Sequence, residues 1–476
     1  MSGGGSAPVD GRVAAARAVA AALAGQGFAA AQLAARREQL APREAALSLE
    51  LAQGALRHLL TIEHVLPRVA AYDRRRTPHA VRAVLATAAY QVVWLDRVPI
   101  YAAVDAAVDA ARAVAGGRAP AMVNAVLRRL AAAIAERRAS WVRLDPRQVR
   151  VNWEQACVFD RPVLPPPEPD GRRWSAHLAA ATGERPTRFA ALVERWGAAA
   201  AEAVAWASQA CPPLVLQRNP LRATPEAFAA EVRALAGAAA EFVGDAAVLP
   251  AGLPVLESPL FTEGRAYVQD HTAHAAALAV QASPGERILD LCAAPGGKTA
   301  ALAGAMGDRG TVVACDRDGA RLGRVRKNIA RLGLQNVEVR LIPADEVGLV
   351  ADPDTAAARP DLGQFDAVLV DVPCSNTGVL ARRPEARLGL TARKLASLIR
   401  LQERLLGRAA ACVRPGGRLV YSTCSLEPEE NEGVVAAFLA TCAGWRLDAA
   451  ELTRPTWGPR LADWRDGGYW ARLIRG

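Results

Sequence analysis

Aromatic residues are scarce in this 476-residue chain, only 5%, although hydrophobic residues reach 51%. Alanine supplies much of that apolar count, which suits a helix-rich protein. No uncharged apolar run of about 18 residues occurs, and the N-terminal MSGGGSAPVDGR lacks the apolar core of a signal peptide. A cytoplasmic protein is expected. The eight cysteines (Cys157, Cys211, Cys292, Cys315, Cys374, Cys412, Cys424 and Cys442) include no C-x-x-C pair. That spacing argues against a disulfide framework and against a zinc site, so no metal is expected, and most of these thiols should be small buried hydrophobes. Lysine is missing from the first 140 residues, where eighteen arginines face ten acids; most of the net charge of +10 lies there. A basic region joined to a near-neutral one points to a polyanion docked by the first and processed by the second. An arginine preference set by genome composition would look the same.

What is present divides the chain. Residues 1–140 read as a helical bundle, because GRVAAARAVAAALAG, EAALSLELAQGALRHLLTIEHVL, HAVRAVLATAAYQVVWL and YAAVDAAVDAARAVAG repeat apolar residues at three- and four-residue intervals. A fifth helix begins near Pro120. Arg74, Arg75, Arg76, Arg128 and Arg129 are candidate RNA contacts on its surface. Residues 141–175, with Pro162, Pro165, Pro166, Pro167, Pro169, Asp170 and Gly171, read as an exposed linker. Residues 176–264 read as a small α+β module, with helical patterns at Arg188–Trp196 and Pro225–Leu235 and a strand at Leu214–Gln217.

From residue 265 onward the pattern alternates as in a doubly wound α/β sheet. Strands are expected at RILDL, Thr311–Cys315, Val337–Leu341, Asp366–Asp371 and Gly417–Ser422, with helices at Arg321–Arg331 and Ala392–Val413. After the first strand comes Cys292-Ala293-Ala294-Pro295-Gly296-Gly297-Lys298, a glycine turn leading into a helix. Such a turn sets backbone N–H groups and a helix N-terminus beside a ligand. The G-x-G-x-x-G fingerprint is absent, and Cys292 stands where a phosphate loop needs glycine, which leaves an adenosine-type cofactor or an ordinary turn.

Ligands of such sheets bind at the carboxyl ends of the strands. Those ends carry Cys292 and its turn, Asp316, Asp345, Asp371-Val372-Pro373-Cys374-Ser375, and Thr423-Cys424-Ser425. Each acid could be a helix cap, and each cysteine a buried structural one, but several strand ends agree. Cys374 and Cys424 end successive strands and each precedes a serine. A thiolate so placed can attack a carbon.

CAAPGGK at 292–298, DVPCS at 371–375 and TCSLEPEEN at 423–431 together resemble the NOL1/NOP2/Sun family of RNA cytosine-C5 methyltransferases. DRVPIYAAVDAAVDAA and APAMVNAVLRRL, within residues 91–130, are similar to a NusB-type RNA-binding domain. The resemblance implies a multidomain protein: an all-α NusB-like bundle, a small α+β module, and a Rossmann-like catalytic domain over 265–476 that uses S-adenosylmethionine. It implies Cys424 as nucleophile and Cys374 as the thiol that resolves the adduct. Asp371 would sit near both cofactor and base, Cys292–Lys298 would wrap the cofactor, and Asp316 and Asp345 would face its ribose and adenine. The implied partner is RNA, small-subunit ribosomal RNA before transfer RNA, and a monomer is expected. A non-catalytic RNA-binding assembly or transcription factor is the alternative of another class. Gln217-Arg218-Asn219 departs from the family's Arg-x-Asn, and Thr272-Ala273-His274 from Ser-Ala-Gln. Both departures are expected in RNA-facing or cofactor-lining regions, with His271 and His274 structural.

Overall fold

The computed structural model describes residues 10–167, 173–342 and 362–476. These fall into two compact units, those of Met1–Cys211 with Leu380–Gly389, and those of Pro212–Val379 with Leu390–Gly476.

The first unit begins with the expected bundle: helices Gly11–Leu23, Ala29–Ala34, Pro42–Arg57, Leu59–Val69, His79–Trp94, Ile100–Val114 and Ala119–Ala132. The Asp10 carboxylate caps the first by accepting from Arg12 N–H. Helix His79–Trp94 is buried almost all round, with Val84, Leu85 and Val92 inaccessible to water. Its alanine-rich neighbours let helix axes approach closely. The long helix expected across residues 44–66 breaks at His58, whose ring stacks on Trp94 with centroids 4.1 Å apart.

The helical bundle ends at Ala132, short of the expected residue 140, and the expected linker from residue 141 is largely structured. Strands β1 (Ile134–Ser140), β2 (Gln148–Arg150) and β3 (Gln155–Phe159) form an antiparallel sheet in the order β1-β3-β2. Val149, Cys157 and Phe159 are buried beneath it, and the Arg150 guanidinium stacks 3.8 Å from the Trp141 ring centre. Short strands rich in arginine carry no clear alternation, which hid them among the neighbouring prolines. Val163 and Leu164 are buried as well, and Pro165 O lies 2.9 Å from His177 Nδ1. Pro169, Asp170 and Gly171 lie outside the described residues.

Helices Trp174–Ala181, Pro186–Trp196 and Ala198–Ala207, read as part of the α+β module, belong to this first unit. So does Leu380–Gly389. Arg387 of that segment is 4% exposed and donates to the carbonyls of Arg57, Thr182, Gly183 and Ser208, while Arg57 donates to Ala381 O. Those bonds satisfy carbonyls at the ends of helices, which have no partners within their own helix. Arg74 pairs with Glu63 and Arg76 with Asp73, whereas Arg128 and Arg129 lie exposed.

The second unit opens with a four-stranded sheet, order β5-β6-β4-β7, of β4 (Leu214–Arg218), β5 (Glu241–Val243), β6 (Ala246–Leu249) and β7 (Ala266–Val268). Because β7 pairs with β4, this module extends past the expected boundary at residue 264. Helix Pro225–Ala236 covers it through Phe228 and Val232.

The main sheet has the order β10-β9-β8-β11-β12-β14-β13. Its members are β8 (Arg287–Leu291), β9 (Thr311–Asp316), β10 (Val337–Leu341), β11 (Phe365–Asp371), β12 (Val413–Thr423), β13 (Trp445–Thr453) and β14 (Gly468–Arg475). The first five are parallel and match the strands expected from the sequence; β14 and β13 add an antiparallel edge that was not foreseen. Helices Gly297–Ala305, Gly319–Leu332 and Ala392–Ala411 supply the crossovers. Asp318 caps the second of these by accepting from Ala320 and Arg321 N–H. Among the described residues no helix is long and apolar enough to cross a membrane.

Candidate active site

Strand β8 supplies the floor of the site. Its Ile288, Leu289 and Leu291 are buried, and the chain then turns sharply, with Cys292 at φ 72° and Gly296 at φ 103°. A Cβ at Gly296 would be strained by that backbone and would meet Val325 at 3.4 Å. Helix Gly297–Ala305 starts immediately, so the first N–H groups of a helix face the carboxyl end of β8. The turn is braced by Arg321, which donates to Ala294 O at 2.7 Å, and by Asn328, which donates to Pro295 O at 3.0 Å.

Asp316 ends β9 and is 4% exposed; its carboxylate accepts from Ala294 N–H at 3.2 Å and Asp318 N–H at 3.1 Å. Burial, then the charges of Asp316 and Asp371, raise the pKa of the Cys292 thiol well above its ordinary range. Asp345 lies outside the described residues.

Across the sheet, Asp371 ends β11 opposite Ser422 of β12. Its two oxygens are engaged separately, one 2.8 Å from Lys298 Nζ and the other accepting from Ser422 Oγ at 3.1 Å. Burial opposes the charge on Lys298, but the neighbouring Asp371 carboxylate outweighs it and holds the ammonium pKa above the usual lysine range. Lys298 thus joins the cofactor turn to the strand bearing the candidate acid.

The two singled-out cysteines meet. Cys374 Sγ lies 3.2 Å from Cys424 Sγ, and Cys424 Sγ lies 3.4 Å from Asn376 Oδ1. Asn376 adopts the left-handed conformation at φ 61° and donates to Cys374 O at 2.8 Å, folding the turn back on itself. Gly378 follows, and a Cβ there would meet Gly467 O at 2.5 Å and Cys424 O at 2.9 Å. The contact with Cys424, burial, and the charges of Cys424 and Glu430 all raise the Cys374 pKa well above the thiol range.

Sequence reasoning missed four polar residues around this pair: Asn376, Gln402, Ser422 and Glu430. Glu430 stood in the quoted 423–431 stretch, but a buried glutamate and a solvated one look alike in sequence. Gln217 is 4% exposed and donates to Gln269 O at 3.1 Å, while Asn219 donates to the carbonyls of Gly264 and Leu332. These two hold the scaffold from within. His274 Nδ1 lies 3.1 Å from Gln269 Oε1, and burial, with the charge of His271 adding to it, pushes its pKa down to about 4, as befits a structural neutral imidazole.

Asp290, inside β8, is fully buried. One oxygen accepts from Thr299 Oγ1 at 2.6 Å, and the other has no hydrogen-bond partner among the described residues. Burial pushes its pKa up to about 7, against the Thr299 hydrogen bond and with the charge of Asp371. A carboxyl raised this way contributes stability that is fully present below its ordinary range and lost as pH rises through about 7. Between about pH 5 and about pH 8 the native protein should lose on the order of 2 kcal/mol relative to an Asp290→Asn variant. Denaturant unfolding of both proteins across that range checks this; parallel pH curves would refute it.

The residues present fit S-adenosylmethionine. A turn with Gly296 in the left-handed region opens onto a helix N-terminus, a buried carboxylate ends the next strand at Asp316, and an acid–lysine pair stands beside the turn.

Comparison with known proteins agrees. A family model described as 16S rRNA methyltransferase RsmB/F matches residues 277–458, and one described as the NusB family matches residues 10–132. The probable ribosomal RNA small subunit methyltransferase B of Synechocystis sp. is 31% identical over 427 residues, 88% of this chain and 86% of that one. Ribosomal RNA small subunit methyltransferase B of Pseudomonas putida is 31% identical over 473 residues, 98% of each chain. The crystal structure of a methyltransferase homolog protein from Pyrococcus horikoshii matches 63% of this chain and 98% of its own, at 25% identity and a TM-score of 0.51. The chain belongs to the ribosomal RNA small subunit methyltransferase B family, whose cofactor is S-adenosylmethionine.

Proposed function

We propose that the protein methylates carbon 5 of a cytosine in small-subunit ribosomal RNA through a covalent adduct with Cys424. The observation that carries this reading is the pair of thiols 3.2 Å apart at the ends of adjacent strands, beside the Lys298–Asp371 pair.

Carbon 5 of cytosine is a poor nucleophile, because attack through it disrupts a conjugated ring. In this reading Cys424 gives up its proton to a base and attacks as the thiolate. Its addition to carbon 6 breaks the 5,6 double bond and makes carbon 5 enamine-like. Asp371, braced by Lys298 and Ser422, would hold the polar edge of the base, and a proton shared between its carboxyl and the ring nitrogen would stabilise the negative charge pushed onto the base. S-adenosylmethionine, held by residues 292–298, Asp316 and Asp371, supplies the electrophilic methyl group when bound. Carbon 5 then gives up its proton to a base, and the bond from carbon 6 to Cys424 breaks. At that moment the Cys374 S–H donates to the departing thiolate. Carbon 6 is shielded within a base stack, so the target must be single-stranded or flipped out. Exposed arginines of the NusB-like bundle, Arg128 and Arg129 among them, suit the phosphate contacts that position an RNA.

Incubation with unmodified ribosomal RNA and methyl-labelled S-adenosylmethionine, followed by nucleoside analysis, tests the reading. Label should appear as 5-methylcytidine in small-subunit RNA. Label on a ribose, on another base, or only on transfer RNA would overturn it.

A further inference from the structure

We propose that Glu430 is a positioning residue, a buried carboxylate that clamps the two cysteine-bearing turns together and so sets the distance between the thiols. This deepens the adduct reading and rests on it.

Glu430 sits in the turn between β12 and helix Glu432–Thr441 and is wholly inaccessible to water. Ser375 follows Cys374 and Ser425 follows Cys424, and both serine hydroxyls donate to Glu430 Oε2, Ser425 at 2.5 Å. Oε1 accepts from Ser375 N–H at 2.9 Å and from Gln402 Nε2 at 2.9 Å. Gln402 also donates to Pro373 O at 3.0 Å, so the residues on both sides of Cys374 are tied to one carboxylate. The two serine oxygens stand 3.0 Å apart, and Tyr421 Oη donates to the Glu430 carbonyl at 2.6 Å.

Removing a carboxylate from water is costly unless donors surround it, and here every side-chain partner can donate. The two turns come from different strands, and both serines hydrogen-bond to this carboxylate, with Thr377 Oγ1 also 3.3 Å from each serine hydroxyl. Gly378 N–H to Cys424 O and Leu426 N–H to Thr377 Oγ1 also join the turns, so removing the carboxylate's second acceptor site would loosen one turn while leaving those bonds and the surrounding apolar packing in place. The thiols, one residue away on each turn, would then lose their register. The step that needs both sulfurs is expulsion of Cys424 from carbon 6. A loosened clamp should therefore slow release of the adduct more than its formation.

The test compares Glu430→Gln, Ser425→Ala and Ser375→Ala with wild type and Cys374→Ala on one denaturing gel of protein–RNA complexes, alongside kinetics. A misplacement of about 1 Å costs up to roughly a hundredfold in rate, so kcat of Glu430→Gln should fall about tenfold to a hundredfold. The RNA KM, S-adenosylmethionine affinity by calorimetry and the thermal midpoint should stay near wild type, and an RNA-linked band should accumulate. Should the glutamine variant fold poorly, the serine variants carry the test, each with a weaker band of the same kind. Wild-type turnover in all three, or a loss of rate that merely follows the loss of thermal stability, would overturn the clamp. If Cys374→Ala itself yields no band, the adduct reading fails first; a band there but none in the other variants refutes Glu430 alone.

Discussion

Replacing Cys424 with alanine should abolish methyl transfer, by more than about a thousandfold, while S-adenosylmethionine binds as in wild type. The side chain is remote in sequence from the cofactor turn, and the residues expected to hold the cofactor, Cys292–Lys298, Asp316 and Asp371, keep their mutual contacts without it. The neighbouring thiols are poorer candidates: burial raises the pKa of Cys292, and the part of the rise at Cys374 that comes from burial and from Glu430 remains when Cys424 is removed. Single-turnover transfer of a labelled methyl group, with calorimetric titration of the cofactor, measures both halves. Turnover within tenfold of wild type would remove Cys424 from the nucleophile's role.

Replacing Cys374 with alanine has the opposite signature. The nucleophile remains, so addition to carbon 6 proceeds, but the S–H group 3.2 Å from the departing sulfur is gone. A thiolate leaving without a donor is a poorer leaving group, and a lost proton-donating contact of this kind costs about a hundredfold or more in turnover. The variant should therefore accumulate a protein–RNA covalent complex that survives denaturation, and sequencing the trapped RNA would name the methylated cytosine. Free turnover without such a complex would leave Cys374 as a packing residue.

These two cysteines were legible before any fold was known because their signal is local. A strand of buried residues followed by a cysteine and a serine repeats at β11 and β12, and strand ends on one side of a parallel sheet converge on a ligand. The residues that hold the cysteines in place were not legible. Glu430 and Gln402 are polar side chains among polar neighbours in sequence, and their complete burial arises from contacts between turns about 50 residues apart. Gln217 was expected in an RNA-facing or cofactor-lining region, and the pairing of β4 with both β6 and β7 leaves it buried.

By itself the sequence determined the helical bundle, the five parallel strands and the turn at residues 292–298, since each rests on the period of burial along a few consecutive residues. It also put Asp316, Asp371 and Cys424 at or just past the carboxyl ends of strands of one sheet, where the structure has them. Only the tertiary structure decided which segments keep company. Residues 134–159 pair as β1–β3 although their arginines obscure any alternation. Strand β14 returns to lie antiparallel beside β12, and Leu380–Gly389, reached straight after the Cys374 turn, belongs to the first unit, with Arg387 buried among helix-end carbonyls. The reason is common to all three: local patterning reports that a residue is buried, while its partner is chosen by hydrogen bonds and packing across long stretches of chain.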